Sequence, residues 1–314
     1  MPEWLIERGI GESRAARIVD DEIVEARILL DGIERSGTRL AARLIASRPR
    51  AIAEAAAQQY LLPGGAPGVS EGAKLVIEVT REAIPGAEPW KRALAKIAEE
   101  APAPAPELTA LAIPFPAPDD LLGKSGWNDV IDEARSGIVR FPGGELRISP
   151  TSAMTLIDVD GYLAPQELAV AGAAAATRAI LRLDIGGSIG IDLPTVAGRA
   201  DRQAIGEAID AILLQPFERT AVNGFGFVQI VRPRRRASLL ELAEDRAAFE
   251  ARALLRRTAL EGSGARRLVA HPAVVKLLEA RPGWTSELAR QVGGAISLRA
   301  DAALPMSGGY AENT

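Results

Sequence analysis

The sequence contains no cysteine and only one histidine, His271. Without thiols the chain has no disulfides, no thiolate metal site and no cysteine nucleophile. With one imidazole it also lacks the side chains for a multi-histidine metal site. Any bound metal would therefore be held by oxygen atoms, which favours magnesium, manganese or calcium over zinc.

Aromatic residues make up 4% of the chain, so its cores must be built from alanine and branched aliphatic residues. No apolar run approaches the roughly 18–20 residues of a membrane-spanning helix. The opening residues, MPEWLIERGI, lack the basic and apolar regions of a secretory signal. These absences predict a cytoplasmic protein with no membrane partner.

The formal net charge is −4 and the pI is about 5.4, which as a whole-chain balance argues against a nucleic-acid partner. Local patches matter more because salt screens distant charges. One basic patch has no acid within it, and a second is the run RPRRR. The first comprises Arg39, Arg43, Arg48 and Arg50, and the second comprises Arg232, Arg234, Arg235 and Arg236. Each patch is either a solvated arginine-rich face or a phosphate-binding surface.

Periodicity and turn residues divide the chain into five segments. The alternating alanines and prolines of EEAPAPAPELTALAIPFPAPDD support neither a helix nor a central strand. After them, strand and helix patterns alternate, which is typical of an α/β layer. The predicted segments are an N-terminal β segment (1–35), a small β-barrel (36–99), an extended linker (100–125), an α/β domain (126–240), and a helix with a small α+β domain (241–314). The final SGGYAENT is expected to fray.

Two predicted strands each end in an aspartate. TLIDVD places Asp158 and Asp160 after an apolar run, and SIGIDLP places Asp192 after another. A carboxylate at the end of a buried strand must be exposed, hydrogen-bonded or bound to a cation. Loops at the carboxyl ends of such strands usually carry the functional site. The pattern is consistent either with ordinary caps and turns or with a shared divalent cation.

Three other motifs favour structural interpretations. The GKS at Gly123 lacks the earlier glycine of a phosphate-binding loop, because Pro118 stands there. The GGSIG that begins at Gly186 leads into a strand and indicates a helix stop followed by a tight turn. His271 precedes Pro272 and a helical pattern, so it is predicted to lie at a helix N-terminus.

Four blocks resemble, in order, the deoxyribonuclease I-like domain of the ribonuclease E/G family: FPGGELRISPTSAMTLIDVDG, RAILRLDIGGSIGIDLP, RQAIGEAIDAIL and GFGFVQIVRPRRRASLLE. VAHPAVVKLLE resembles the small C-terminal domain of that family. YLLPGG and EGAKLVIEVTREAI resemble its OB-fold. The resemblance implies a deoxyribonuclease I-like/RNase H-like α/β metal domain, a degenerate OB-fold-like RNA-binding domain before it and a small α+β domain after it.

The family cleaves single-stranded RNA by magnesium-assisted hydrolysis, so the resemblance implies an endoribonuclease of RNA processing or decay. Asp158 and Asp192 match the two metal-binding aspartates and are the expected catalytic residues, holding Mg²⁺ or Mn²⁺. Asp160 stands where the family usually has an asparagine that orients the site, and it is a third candidate metal ligand.

The resemblance also implies RNA contacts. Arg232 and Arg234 match the arginines after the last strand of the metal domain, and Arg235 and Arg236 extend the same basic run. In the barrel segment, Tyr60 is the candidate for stacking on bases.

Several family features are missing. Without a Cys-Pro-x-Cys motif there is no zinc, and any homo-oligomer is expected to lack a zinc bridge. The Pro/Ala linker replaces the segment that senses a 5′-monophosphate, so preference for such ends should be lost. Two alternatives therefore stay open beside the nuclease: a catalytically inactive RNA-binding relative, and a protein-interaction module without an RNA role.

Overall fold

The computed structural model describes residues 4–85 and 91–314. In chain order, the strands are β1 (Trp4–Arg8), β2 (Glu12–Val19), β3 (Glu22–Leu30), β4 (Arg39–Ala46), β5 (Ala51–Ala55), β6 (Gln58–Leu62), β7 (Lys74–Arg81), β8 (Ala93–Ala98), β9 (Ala110–Ile113), β10 (Ile138–Phe141), β11 (Gly144–Pro150), β12 (Thr155–Gly161), β13 (Gly187–Asp192), β14 (Glu218–Arg219), β15 (Phe227–Arg232), β16 (Arg266–Ala270), β17 (Ile296–Ala300) and β18 (Tyr310–Asn313). The helices are α1 (Leu121–Lys124), α2 (Trp127–Ser136), α3 (Pro165–Arg182), α4 (Arg199–Asp210), α5 (Leu239–Glu244), α6 (Arg246–Leu260), α7 (Pro272–Glu279) and α8 (Pro282–Val292).

The chain divides into two compact units that interleave along the sequence. The terminal unit comprises the described residues of Met1–Asp31, Thr109–Val130 and Leu242–Thr314, and the central unit comprises those of Gly32–Leu108 and Ile131–Glu241. The predicted N-terminal and C-terminal segments therefore belong to one unit, and the predicted barrel and α/β domain belong to the other. The predicted mixed α/β class is confirmed.

The central unit contains a closed five-stranded barrel in the order β4-β5-β6-β8-β7. Its interior is filled mainly by small side chains, because five strands enclose little space. The core residues are Ala42, Leu44, Ala51, Ala53, Ala55, Tyr60, Leu62, Ile77, Val79, Ala93 and Ala95. The predicted small barrel is thus present, and its alanines, which favour helix by propensity, are held in strands by burial.

The second part of the central unit is a six-stranded sheet in the order β10-β11-β12-β13-β15-β14. β12 and β13 are parallel and are joined through α3, and the other neighbouring pairs are antiparallel. α3 packs on one face of the sheet above the buried Ile157 and Val159. Gly172 permits this close approach, since a Cβ there would lie 2.3 Å from Val159 Cγ1.

The terminal unit has two sheets, in the orders β3-β2-β1-β9 and β17-β16-β18. The first is the predicted β-meander, whose β2–β3 turn at Asp20 and Asp21 has positive φ angles, a conformation that aspartate tolerates. β16, α7, α8 and β17 follow in the predicted order. The tail does not fray as expected, because β18 pairs antiparallel with β16.

The predicted linker is partly wrong. Residues Ala110–Ile113 form β9, which pairs in parallel with β1, and Leu121–Lys124 form the short helix α1. The stretch ALAI contains no proline, so its backbone can complete a sheet that begins about a hundred residues earlier in the chain. That partner strand cannot be recognised from the composition of the linker.

The terminal unit also encloses a network of buried charges. Arg14 bonds Glu7 and Glu12 at 2.7 Å each. Arg252 bonds Glu12 at 2.7 Å, and Arg256 bonds Glu7 at 2.8 Å and Asp120 at 2.6 Å. Arg14 and Arg256 also lie over the ring of Phe115. Each acid in this network therefore has an arginine partner.

Candidate functional site

The pairing of β12 with β13 brings two of the predicted aspartates side by side. Asp158 and Asp192 are register partners on these adjacent parallel strands. Neighbouring strands lie about 4.8 Å apart, and paired residues point to the same face of the sheet. The two carboxylates thus leave the sheet in the same direction, as a shared cation would require.

The face that carries them is the one α3 does not cover. Side chains alternate along β12, so Ile157 and Val159 are buried under α3, whereas Leu156, Asp158 and Asp160 are exposed on the other side. We call this exposed side the open face of the six-stranded sheet. It also carries Arg147 and Asp192, which pair in register on either side of Asp158.

The neighbouring carboxylates influence the pKa of Asp158. Partial desolvation raises the pKa of Asp158, and the negative charges of Asp160 and Asp192 raise it further. A backbone hydrogen bond from Val159 and the positive charge of Arg147 offset only part of this rise. An ionised carboxylate surrounded by like charges is stabilised by a cation, so the cluster is suited to bind one.

Asp160 lies on the same face, two residues farther along β12 and opposite Glu145 of β11. Within residues 4–85 and 91–314, no three His, Cys, Asp or Glu side chains are grouped as metal ligands. Asp160 thus stands beside the Asp158–Asp192 pair and completes no three-carboxylate cage. The pair still fits magnesium, which takes one or two carboxylates and completes its shell with water and phosphate oxygens.

Arg147 is a basic residue of the open face that the sequence patterns did not single out. It pairs in register with Asp158, its side chain is 58% exposed, and its guanidinium bonds Glu145 at 2.6 Å. Arg140 is exposed on the neighbouring strand β10 and pairs in register with Glu145. The alternation of ELRIS indicates that Arg147 is exposed, but which acid lies opposite follows only from strand register.

The predicted RNA-contacting arginines lie at the other end of the sheet. Asp192 pairs with Phe227, whereas Gly187, at the opposite end of β13, pairs with Arg232. Gly187 and Asp192 are five residues apart along β13, which corresponds to roughly 16 Å. Arg232 also points to the α3 side, where it donates to the carbonyl oxygens of Ile180 and Ile185. The structure therefore does not bring Arg232 to the aspartates.

Most of the remaining arginines in that run have intramolecular partners. Arg234 pairs with Glu241, and Arg236 bonds Asp184 at 2.9 Å and lies 3.6 Å from Glu82. Burial lowers the pKa of Arg236, but the charges of Asp184 and Glu82 outweigh that effect and raise it. Arg235 has an exposed side chain, and its carbonyl accepts a hydrogen bond from the Glu82 backbone. Only Arg235 of the run is well placed to meet a phosphate.

Tyr60 is not the base-stacking residue that was predicted. Its side chain is fully buried in the barrel core, where its hydroxyl donates to Gln58 at 3.2 Å. Burial, with the nearby charge of Glu34, raises the pKa of Tyr60 to about 12. A ring with no exposed face cannot stack on a base, so the role predicted for Tyr60 is wrong.

The first basic patch lies on and beside the barrel strand β4. Arg39 pairs with Glu100, and Arg43 donates to the carbonyl of Gly72 at 2.7 Å. Arg48 and Arg50 are exposed between β4 and β5. Half of this patch therefore contributes to the barrel itself, and the other half is available to solvent.

The motifs interpreted as structural behave largely as predicted, and none of them forms a binding site. His271 caps α7, where its Nδ1 accepts from the backbone N–H of Ala273 at 3.2 Å. Gly187 begins β13 with a φ of 88°, as expected of a tight turn, but the helix stop lies earlier than predicted: α3 ends at Arg182, and Asp184 has a φ of 51°. Lys124 of the GKS motif ends α1 and pairs with Asp119, so that motif forms no phosphate loop.

A separate open pocket of about 540 Å³ lies between α4 and the β14 region, lined by Arg199, Arg202, Gln203, Gly206, Glu207, Arg219, Ala221 and Val222. Two of its arginines are engaged within the protein. Arg202 donates to the carbonyls of Val196 and Ala197, and Arg219 forms two bonds with Asp210. These contacts assign both arginines a role in holding α4 in place.

No protein-family model matches the chain, and none of the curated proteins matches it either. The likeness to the ribonuclease E/G family therefore rests on sequence motifs alone. Among the helices of the described residues, none is long and apolar enough to cross a membrane.

Proposed function

We propose that the protein is a magnesium-dependent endoribonuclease of the ribonuclease E/G type that cuts single-stranded RNA. The single observation that carries the proposal is the register pairing of Asp158 with Asp192 on the open face of the sheet. The six-stranded sheet with its helices is proposed to be the family's deoxyribonuclease I-like/RNase H-like domain. The closed barrel is proposed to be its OB-fold.

In this proposal Asp158 and Asp192 hold the cation, which can equally be Mn²⁺, with one carboxylate from each strand. Bound magnesium supplies neutralisation of charge on the phosphodiester and lowers the pKa of a water molecule. Arg147 is placed to hold a phosphate oxygen, because it lies one strand away from Asp158 and is largely exposed. Asp160 adds negative charge beside the pair and strengthens its attraction for the cation.

The test is cleavage of a defined single-stranded RNA by the purified protein with magnesium present. Asp158→Asn and Asp192→Asn should each reduce cutting by roughly 100-fold or more, since each removes one charged ligand while preserving side-chain shape. Asp21→Asn is a matched control, because it makes the same change at an exposed turn. Asp160→Asn should retain activity, since it restores the residue that the family usually has.

Two results would contradict the proposal. One is cleavage that persists at the wild-type rate in both Asp158→Asn and Asp192→Asn. The other is full activity in the presence of a chelator. Either result would show that the carboxylate pair does not hold a catalytic cation.

A second candidate function is RNA binding without turnover. It is favoured by Asp160, which stands on the open face where the family usually has the asparagine that orients the site. Filter binding at several salt concentrations distinguishes it from the nuclease. Steep salt dependence without cleavage at any magnesium concentration would support this candidate.

We further propose that the protein works in the cytoplasm, where its RNA substrate is found. Any homo-oligomer is proposed to assemble without zinc, since the sequence offers no cysteine ligand. Sedimentation of the purified protein with and without a chelator tests the second point, and dissociation on chelation would contradict it.

A further inference from the structure

Two aromatic side chains of the central unit are unusually exposed. Tyr162 is 85% exposed and Phe225 is 83% exposed, and no other large hydrophobic side chain among the described residues exceeds the 64% of Leu214. Large apolar rings held in water are typical of surfaces that bind a partner. Their position in the fold indicates which partner.

Both rings lie at the end of the sheet that carries the carboxylates. Tyr162 directly follows the end of β12, four residues beyond Asp158. Phe225 precedes β15 by two residues, and β15 begins at Phe227 opposite Asp192. Because β15 runs antiparallel to β13, the chain at Phe225 extends past the end of β13. Two strand spacings, about 10 Å, separate β12 from β15 across this end.

The loop that carries Phe225 is fixed by its backbone. The N–H of Phe225 donates to Asn223 Oδ1 at 2.9 Å, and its carbonyl accepts from the Thr195 hydroxyl at 3.1 Å. The next residue, Gly226, has a φ of 90°, and a Cβ there would lie 2.2 Å from the carbonyl oxygen of Leu193. The exposed ring is therefore presented by an ordered turn.

Tyr162 is anchored in a similar way. Its N–H donates to the carbonyl of Gly143 in the β10–β11 turn at 3.1 Å. Its ring nevertheless remains in solvent. Both aromatic residues thus combine a bonded backbone with an exposed side chain, an arrangement that folding alone does not require.

The open face offers basic groups for a nucleic-acid backbone, beside four acids whose charge a bound cation would offset. Arg140 and Arg147 are exposed on β10 and β11, in the rows that contain Asp160 and Asp158. Aromatic rings stack on unpaired bases, and guanidinium groups contact the phosphates between them. In a duplex the bases already stack on one another, so such rings can engage only unpaired nucleotides.

We propose that Tyr162 and Phe225 each stack on an unpaired base of an RNA strand whose backbone crosses the Asp158–Asp192 pair. This inference rests on the proposed function, which puts the cleaved phosphate at the Asp158–Asp192 pair. It adds the requirement that nucleotides on both sides of that phosphate are single-stranded. The barrel need not supply the stacking residues, since Tyr60 is buried.

The test measures binding separately from cleavage. A short fluorescein-labelled single-stranded RNA is titrated with the full-length protein in a chelator, so that the RNA stays intact, and anisotropy is recorded. Tyr162→Ala and Phe225→Ala should each weaken binding about 10-fold, which is within the range for loss of one base–aromatic stack. The double variant should weaken it roughly 100-fold, because the two sites are separate.

Matched variants separate stacking from general apolar contact. Tyr162→Phe and Phe225→Tyr should bind like wild type, since both keep a flat ring. Phe225→Leu should bind as weakly as Phe225→Ala, although it stays apolar. Leu214→Ala, at the next most exposed apolar side chain, should have no effect. A duplex of the same sequence should bind weakly to wild type and equally weakly to every variant.

Wild-type affinity in both alanine variants would overturn the inference, even if Asp158→Asn abolishes cleavage and the proposed function stands. Conversely, a 10-fold loss in both would support it even if Asp158→Asn still cuts and the nuclease proposal fails. Failure of wild type to bind the single strand would overturn it. So would a dimer that Phe225→Ala dissociates without changing RNA affinity, because the face would then belong to a second copy.

Discussion

Two clusters of acidic residues in this protein differ in whether the fold supplies them with arginine partners. In the terminal unit, Glu7, Glu12 and Asp120 are each bonded to a buried arginine. In the central unit, Asp158 and Asp192 stand together on the open face, and within the described residues neither forms an ion pair with an arginine or lysine. The first cluster is complete without any further ion, and the second is stabilised by adding one.

The comparison indicates how structural charges can be distinguished from functional ones. Removing a charge from water is unfavourable unless a partner is present, so a buried acid is found with its partner already in place. An exposed pair of like charges persists without that requirement, but it gains from an external cation. The arginines differ in burial: Arg236 is mostly buried beside Asp184, whereas Arg147 remains largely exposed although it bonds Glu145.

The largest expected effect is on the stability of the buried cluster. Arg256→Met should lower the free energy of unfolding by about 3–5 kcal/mol, because it leaves Glu7 and Asp120 without that guanidinium. Urea unfolding followed by tryptophan fluorescence measures the loss. Arg290→Met, at an exposed pair with Glu287, should change stability little. Equal effects of the two variants would remove the distinction between the clusters.

The open carboxylates should show the opposite behaviour. Asp192→Asn should reduce magnesium-dependent RNA cleavage by roughly 100-fold or more, because one of two charged ligands is lost. The same variant should be at least as stable as wild type, since it relieves repulsion with Asp158. Cleavage rates and urea unfolding of one preparation test both statements. A clear loss of stability would indicate that Asp192 is structural.

An intermediate effect is expected at Arg147. Arg147→Ala should weaken RNA binding about 10-fold and reduce the salt slope of binding by about one, as for loss of one phosphate contact. Arg236→Ala should instead lower stability, because it leaves Asp184 without its arginine and removes one of the two arginines beside Glu82. Titrations at several salt concentrations, with unfolding curves beside them, separate the two arginines. A salt slope unchanged in Arg147→Ala would exclude it as a phosphate contact.

The smallest expected effect is a pH dependence of the metal-free protein. The pKa of Asp158 is raised in the folded state, by partial desolvation first and then by Asp160 and Asp192. The folded chain therefore binds this proton more tightly than the unfolded chain does. The free energy of unfolding should fall as pH rises through the interval between the ordinary aspartate pKa and the raised value. Below that interval Asp158 is protonated in both states, and its repulsion with the other carboxylates is absent.

Because the side chain is exposed, this change should stay below about 1 kcal/mol. Asp158→Asn should flatten the profile, and magnesium should reduce the fall in wild type. Thermal unfolding at a series of pH values measures the difference. A profile unaffected by Asp158→Asn would show that this carboxylate does not carry the repulsion.

Much of the central unit could be predicted from local pattern. The apolar runs before Asp158 and Asp192 indicate strands, and the helix between them makes their parallel pairing expected. The role of Tyr60 could not be predicted in this way, because an aromatic residue in a strand faces the core or the solvent according to the register of the closed barrel. β9 was missed for a similar reason, since its partner β1 lies far away in the chain.

The residues that sequence patterns overlooked share one property. Arg147 and Phe225 lie within family-like blocks and Tyr162 directly follows one, but no sequence pattern singled out any of the three. Each matters because of what the fold places beside it. Arg147 lies opposite Asp158 on the adjacent strand. The two exposed aromatic rings lie at the end of the sheet that carries the carboxylates. In the arginine run, sequence proximity was misleading, because intramolecular acids engage Arg234 and Arg236.

The amino-acid sequence by itself determined most of the strands and helices, the absence of thiolate ligands, and the placement of aspartates at two strand ends. These are local properties, set by side-chain chemistry and periodicity along the chain. Tertiary structure alone decided which charges are paired, which aromatic rings are buried, and which residues share the open face. Such properties depend on partners that are distant in sequence, because the energy of a charge or a ring is set by the atoms around it.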